Sequence, residues 1–216
     1  DRRGTSCLKY DFAVERGYPK DVLPFWVADM DFRVPVPVID ALTARAAHGI
    51  FGYTQVKDDY FNVLRDWFRT RHAWTVQRDE LVITPGVVFA IATAIRAYTA
   101  PNDAVIIQQP VYYPFASMIR QNGRTLIDSP LRFADGRYSI DFADFEQKII
   151  DHKVKLFVLC SPHNPVGRVW TRTELEQLAA ICLRHHVIVV ADEIHEEFVR
   201  PGFCHIPFAS LSADAA

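Results

Sequence analysis

Residues 187–195 read VIVVADEIH, and no other stretch restricts the fold as tightly. Val187, Ile188, Val189, Val190 and Ala191 run without a polar break and stop at Asp192, Glu193 and His195. An apolar run of this length suits a strand buried on both faces of a parallel sheet. In open α/β sheets, ligands are met just beyond the carboxyl ends of such strands. A carboxylate at that point, with an imidazole at 195, stands where a cofactor or substrate would be contacted. The plain alternative is an Asp that caps the next segment and a surface His.

The rest of the chain supplies the partners such a strand needs. Residues 104–108, 124–127 and 155–160 read as strands, and 81–84 as a short one. Between them, 87–99, 114–121, 141–150 and 171–184 read as helices, the last opened by a capping box of Thr171 with Glu174. Upstream, 38–48 reads as a short helix, and 58–72 has helical spacing at Phe61, Leu64, Trp67 and Phe68. Residues 1–37, rich in Pro and aromatics, read as an irregular arm. Alternating strands and helices predict an α/β fold, a mainly parallel sheet with helices on both faces.

Bulk properties narrow the function. A chain of 216 residues with a formal net charge of −2 has room for one large domain, or one plus part of another. No basic block is present, so no nucleic-acid partner is expected, and no apolar run is long enough for a membrane helix. The first residues, DRRGTSCLKYDF, carry no apolar signal core, so a cytoplasmic location is the expectation. Cysteines stand at 7, 160, 182 and 204 without CxxC spacing. Cys182 and His186 can share a helix face, but no second ligand pair stands at structural spacing, and no metal is expected.

Four places can carry chemistry. At Thr84-Pro85-Gly86-Val87-Val88, a glycine at a strand-to-helix turn lets the backbone approach a ligand, and the free N–H groups of the first helical turn favour an anion. In Gln109-Pro110-Val111-Tyr112-Tyr113-Pro114-Phe115, two prolines flank two tyrosines that can stack on a flat heterocycle or simply pack in the core. Ser161-Pro162-His163-Asn164-Pro165-Val166-Gly167-Arg168 is a stiff polar turn whose X-Pro bonds at 162 and 165 can be cis, and the Asn164 amide can donate to a phenolate oxygen. Asp192, facing a pyridine nitrogen, would hold it protonated and turn the ring into an electron sink.

Taken together, SPHNPVGRVW, ADEIH, PVYYPF, TPGVV and the N-terminal PFWVADMDF resemble fold-type-I pyridoxal-phosphate enzymes of the class I/II aminotransferase superfamily. The WVADMDF and ADEIH forms look most like its cystathionine β-lyase (C–S lyase) subgroup. The resemblance covers nearly the whole chain, with the motifs in family order. It implies an aspartate-aminotransferase-like large domain over 49–216, preceded over 1–48 by an N-terminal arm and part of the small domain. It implies pyridoxal 5'-phosphate as cofactor, held by the backbone of Gly86, Val87 and Val88 at its phosphate, by Tyr112 on its ring, by Asn164 at O3′ and by Asp192 at the pyridinium nitrogen. His195 stands where many relatives place a tyrosine near O3′, and Tyr53 matches a residue that reaches the phosphate of the other subunit in the family's homodimers. Ala28 and Asp29 match the segment lining the substrate carboxylate.

One element of the pattern is missing. The family's Schiff-base lysine follows the DEIH-type motif by some tens of residues, whereas the last lysine here is Lys155. The catalytic lysine is therefore expected beyond Ala216, in a chain that looks cut short and that alone should not turn over. The resemblance implies α,β-elimination of cystathionine or a related cysteine S-conjugate to thiol, pyruvate and ammonia. An aminotransferase is the alternative, followed by a non-catalytic regulatory homologue.

Overall fold

The structure, a computed structural model, describes residues 1–212. The chain divides into two compact units, Asp1–Gln55 and Val56–Ala216.

In the first unit, α1 spans Val36–His48 and ends at Gly49, whose φ of 72° is the left-handed cap that glycine adopts without strain. It starts two residues before the expected 38, because a proline in the first turn removes an N–H that would be unpaired anyway. Ahead of it, Lys9 is buried, and its ammonium donates to the carbonyls of Val27 and Asp29 at 3.3 and 3.1 Å. Arg2 donates to the Asp29 carboxylate at 2.7 Å, and the Tyr10 hydroxyl donates to Asp31 at 2.7 Å. Segment 27–31 is thereby tied to the first ten residues.

The second unit opens with α2, Asp58–His72, as its apolar spacing predicts. Then come α3 (Val87–Tyr98), β1 (Ala104–Ile107), α4 (Pro114–Gln121) and β2 (Thr125–Asp128). A hairpin of β3 (Arg132–Ala134) and β4 (Arg137–Ser139) leads to α5 (Phe142–His152), β5 (Leu156–Cys160), α6 (Arg172–Arg184) and β6 (Ile188–Asp192). The sheet runs β2-β1-β5-β6 with every pair parallel. Ile91 and Ile95 of α3 and Phe115 and Ile119 of α4 cover one face, and Phe145 and Ile149 of α5 with Leu175 and Leu178 of α6 cover the other. The expected α/β architecture, a parallel sheet with helices on both faces, is what forms. No helix among the described residues is long and apolar enough to cross a membrane.

Three local expectations need correction. Residues 81–84 form no strand. Leu81 has extended dihedrals, but no described strand pairs with the segment, and a strand needs a ladder. The β3–β4 hairpin was not foreseen, although Asp135-Gly136, both at positive φ, is the dipeptide that two-residue hairpin turns favour. Finally, β6 is not buried on both faces. It is the sheet's edge among the described strands, and Ile188 is 40 % exposed. The doubly buried strands are β1 and β5, every residue of which is buried.

Candidate active site

Parallel strands place all their carboxyl ends along one edge of the sheet. From β1 the chain moves outward to β2, then crosses back to β5 on β1's other side. The segments leaving β1 and β5 therefore part from each other at a topological switch point, where open α/β sheets form their crevice. Helix α3 feeds β1 through a short link, so its C-terminus faces the opposite edge and its N-terminus, at Gly86, points to the crevice edge. The same helix packs against β5 and β6.

Topology thus brings Gly86, Val87, Val88, Tyr112, Asn164, Asp192 and His195 to one edge. No side chain caps α3, so the N–H groups of Val87 and Val88 carry no capping partner. Gly86 has φ 142°, which L side chains rarely adopt, and a Cβ there would meet nothing within 4 Å, so backbone conformation rather than crowding selects glycine. Tyr112 is half-buried, its ring 6.0 Å from Phe115 in an edge-on contact and 5.5 Å from Tyr113, which is itself 74 % exposed. Burial raises the Tyr112 pKa, with the Tyr113 and Asp192 charges acting in the same direction.

Asp192 is 6 % exposed. Its carboxylate accepts the Ile194 N–H at 3.1 Å. Burial pushes its pKa up, while the Ile194 bond and the field of His195 pull it down. Across the register, Asp192 stands beside Cys160, and the Ser161 N–H donates to the Asp192 carbonyl at 3.0 Å. Asn164 and His195 share the wall of a hollow of about 200 Å³ with Gly167 and Phe198. A larger hollow of about 570 Å³ lies on the apolar flank of β6, lined by Tyr98, Leu183, Ile188 and Phe208, and holds none of these residues.

Two features went unread in the sequence. First, the buried His163 braces the crevice: its Nε2 stands 3.0 Å from the Pro110 carbonyl and joins the β1 and β5 loops. Burial lowers its pKa to about 4, so it is a neutral strut. The X-Pro bonds at 162 and 165 are cis, as is Gln109–Pro110. Trp170 stacks edge-on to His163 and donates its indole N–H to the Cys160 carbonyl at 3.0 Å. Second, Glu197 draws the turn after β6 onto α2, accepting from Trp67 at 2.8 Å, Arg71 at 2.7 Å and His72 at 3.0 Å. Nothing local in the sequence marks contacts made 125–130 residues away. Ala28, Asp29 and Tyr53 belong to the first unit; Asp29 is committed to Arg2 and Lys9, and Tyr53 is fully exposed.

The family profile described as aminotransferase class I and II matches residues 20–214. The chain belongs to this family. Among curated relatives, it is 47 % identical over 216 residues to the cystathionine beta-lyase PatB of Bacillus subtilis, covering all of this chain and 56 % of PatB. Among solved structures, cystalysin from Treponema denticola, which contains pyridoxal 5'-phosphate, superposes with a TM-score of 0.93 at 37 % identity, over 100 % of this chain and 55 % of its own. The PLP-bound C–S lyase of Staphylococcus hominis gives 0.91 at 34 % identity, over 98 % of this chain and 54 % of its own. This class I and II aminotransferase homologue therefore spans about half the length of the relatives it matches.

Proposed function

We propose that the crevice holds pyridoxal 5'-phosphate and that the complete protein is a carbon–sulfur β-lyase, eliminating thiol from cystathionine or a related cysteine S-conjugate and leaving pyruvate and ammonia. The donor set suits the cofactor. An uncapped helix N-terminus offers N–H groups of Gly86, Val87 and Val88 to a phosphate dianion. Tyr112 offers a half-buried aromatic face, and Asn164 an amide donor. When bound, the cofactor supplies an electron-withdrawing ring that stabilises negative charge at the α-carbon of an attached amino acid.

The observation carrying this reading is Asp192. A carboxylate buried at a strand end, with its pKa raised by burial, gains by facing a cationic N–H, and the pairing in turn keeps that proton in place. His195 lies within the field of Asp192, on the wall it shares with Asn164, and would help orient the phenolic side of the ring. The polar turn at 161–168 is braced through His163, which is neutral, and the charge of its last residue, Arg168, is paired with Glu174.

In the first unit, Arg2 and Lys9 pair with the Asp29 carboxylate and Lys9 also donates to its carbonyl, and segment 28–29 would line the substrate carboxylate, as the family resemblance implies. Tyr53 would reach the phosphate of a second subunit, in a homodimer supported by the exposed Leu23, Phe25, Phe32 and Phe51. A lysine beyond Ala216 is expected to act as the base. Four free cysteines suit a reducing cytosol.

The test is an assay of the full-length protein with cystathionine, following pyruvate and thiol, beside an assay for keto-acid-dependent amino transfer. Stoichiometric pyruvate and thiol without transfer is the expected result. Transfer without thiol release would replace this reading with that of an aminotransferase, which would use the same ring contacts.

A further inference from the structure

The turn after β6 holds titratable groups that the proposed chemistry does not use. Glu193 and Glu196 are three residues apart, and the Glu196 N–H donates to the Glu193 carbonyl at 2.8 Å, which brings their side chains together. The chain then returns at His205, which is only 3 % exposed. Neither ring nitrogen of His205 has a hydrogen-bond partner among the described residues, and its Nε2 stands 3.6 Å from the nearer Glu193 oxygen, beyond hydrogen-bonding range. A buried imidazole without a partner costs free energy and calls for a ligand. One ligand atom from each of Glu193, Glu196 and His205 lies within 4.8 Å of the others.

Neighbouring groups separate this set from the ion pairs around it. Glu197 is already engaged by Trp67, Arg71 and His72, which compensates its charge. Glu196 has no comparable cation: it is 3.7 Å from His72, and burial raises its pKa against the opposing pull of His72 and His205, with the carboxylates of Glu193 and Glu197 adding to the rise. Glu193 accepts the Phe208 N–H at 2.7 Å, an outer contact that fixes the carboxylate as supporting partners do around metal ligands.

We propose that Glu193, Glu196 and His205 bind one divalent transition-metal ion of zinc's class. One imidazole and two carboxylates give the mixed nitrogen–oxygen set that such ions take, with a fourth position left to water. Two carboxylates and a neutral imidazole balance the charge of a dication. Ligand atoms around zinc lie roughly 3–4 Å apart at bond lengths near ~2.0–2.2 Å, so small side-chain rotations close the site. The ion would cross-link the turn that carries His195 to the segment at 205–208.

The test uses full-length protein treated with a chelator and titrated with Zn²⁺ alone, scored by competition with a chromophoric chelator and by anomalous scattering at the zinc edge. One saturable equivalent per chain is expected, with an anomalous peak among the three side chains. Glu196→Gln and His205→Asn should each weaken binding by at least the ~10–100-fold that loss of a supporting partner costs at metal sites. His186→Asn, an exposed imidazole outside the cluster, should bind as the parent does. If His205→Asn fails to fold, Glu196→Gln decides. Absence of a saturable equivalent, unchanged affinity in Glu196→Gln, a peak at His72 and Glu197 instead, or equal binding of Mg²⁺, which does not take imidazole, would overturn the proposal.

Discussion

The turns after β5 and β6 leave neighbouring strands at the same edge of the sheet, yet they are held in place differently. Where it lines the crevice, the β5 turn is secured by neutral groups, His163 to the Pro110 carbonyl, the Trp170 indole to the Cys160 carbonyl, and the Asn164 N–H to Cys160 Sγ at 3.4 Å, and its far end is tied by the Arg168–Glu174 ion pair at the start of α6. The β6 turn is secured by charge: Glu197 to Arg71 and His72. Its strand is the sheet's edge among those described, so it has less apolar packing to rely on. A neutral brace adds no field of its own to the crevice wall that carries Asn164. A charged brace can reach a distant helix from a turn that lacks a ladder of its own. Cost separates them too: burial of His163 desolvates a donor and an acceptor, of which Nε2 alone is partnered among the described residues, whereas Glu197 keeps part of its carboxylate in solvent.

Four experiments on the full-length protein bear on this contrast, in order of expected effect. Asp192→Asn should lower kcat/KM for elimination by about 10²–10⁴-fold, the range of a positioned proton-holding group. Steady-state pyruvate release checks it, and a variant as active as the parent would remove β6 from the chemistry. Next, Trp170→Ala should destabilise the fold by about 3–5 kcal/mol as the cavity beside His163 opens, read from denaturant midpoints.

Acid should then distinguish the two braces. The folded His163 has its pKa lowered to about 4, whereas the unfolded chain takes up the proton near the ordinary 6.5. Its contribution is therefore whole above that value and is lost as pH falls toward about 4, at a slope of at most ~1.4 kcal/mol per pH unit. His163→Gln should lack that slope in pH-dependent unfolding. Glu197 behaves differently. Its hydrogen bonds, led by Arg71, hold its pKa at about 2 against an ordinary 4.5, so its contribution is present above 4.5 and is lost as pH falls toward 2. Glu197→Gln should show the smallest effect: a modest fall in melting temperature at neutral pH that disappears over that acid range. If Glu197→Gln instead erases the slope between 6.5 and 4, the division into neutral and charged braces is wrong.

What could be read in advance follows from how far each signal reaches. Helix α2 was legible from the spacing of Phe61, Leu64 and Phe68, and the start of α6 from Thr171 and Glu174, because turns and caps are local. The apolar run of β5 was equally plain. That of β6 read as doubly buried only because a sequence does not show which strand lies at an edge. Residues 81–84 misled for a related reason: extended residues become a strand only beside a partner. In the crevice, each motif was visible singly, since Gly86 begins a helix, Asp192 ends a strand and Asn164 lies in the proline-flanked turn just after one. The links among them were not. His163 depends on a carbonyl 53 residues earlier, and Glu197 on side chains 125–130 residues earlier.

That last separation has a consequence for synthesis. A ribosome delivers Trp67, Arg71 and His72 long before Glu197 emerges, so α2 must wait with an unmatched cationic end until the chain has grown 125–130 residues further. The carboxylate at 192 acquires its surroundings at the same late moment. A nascent chain would thus become able to hold a cofactor in the crevice only once the turn after β6 has met α2, and a protein stalled before that point would not draw on the cell's supply.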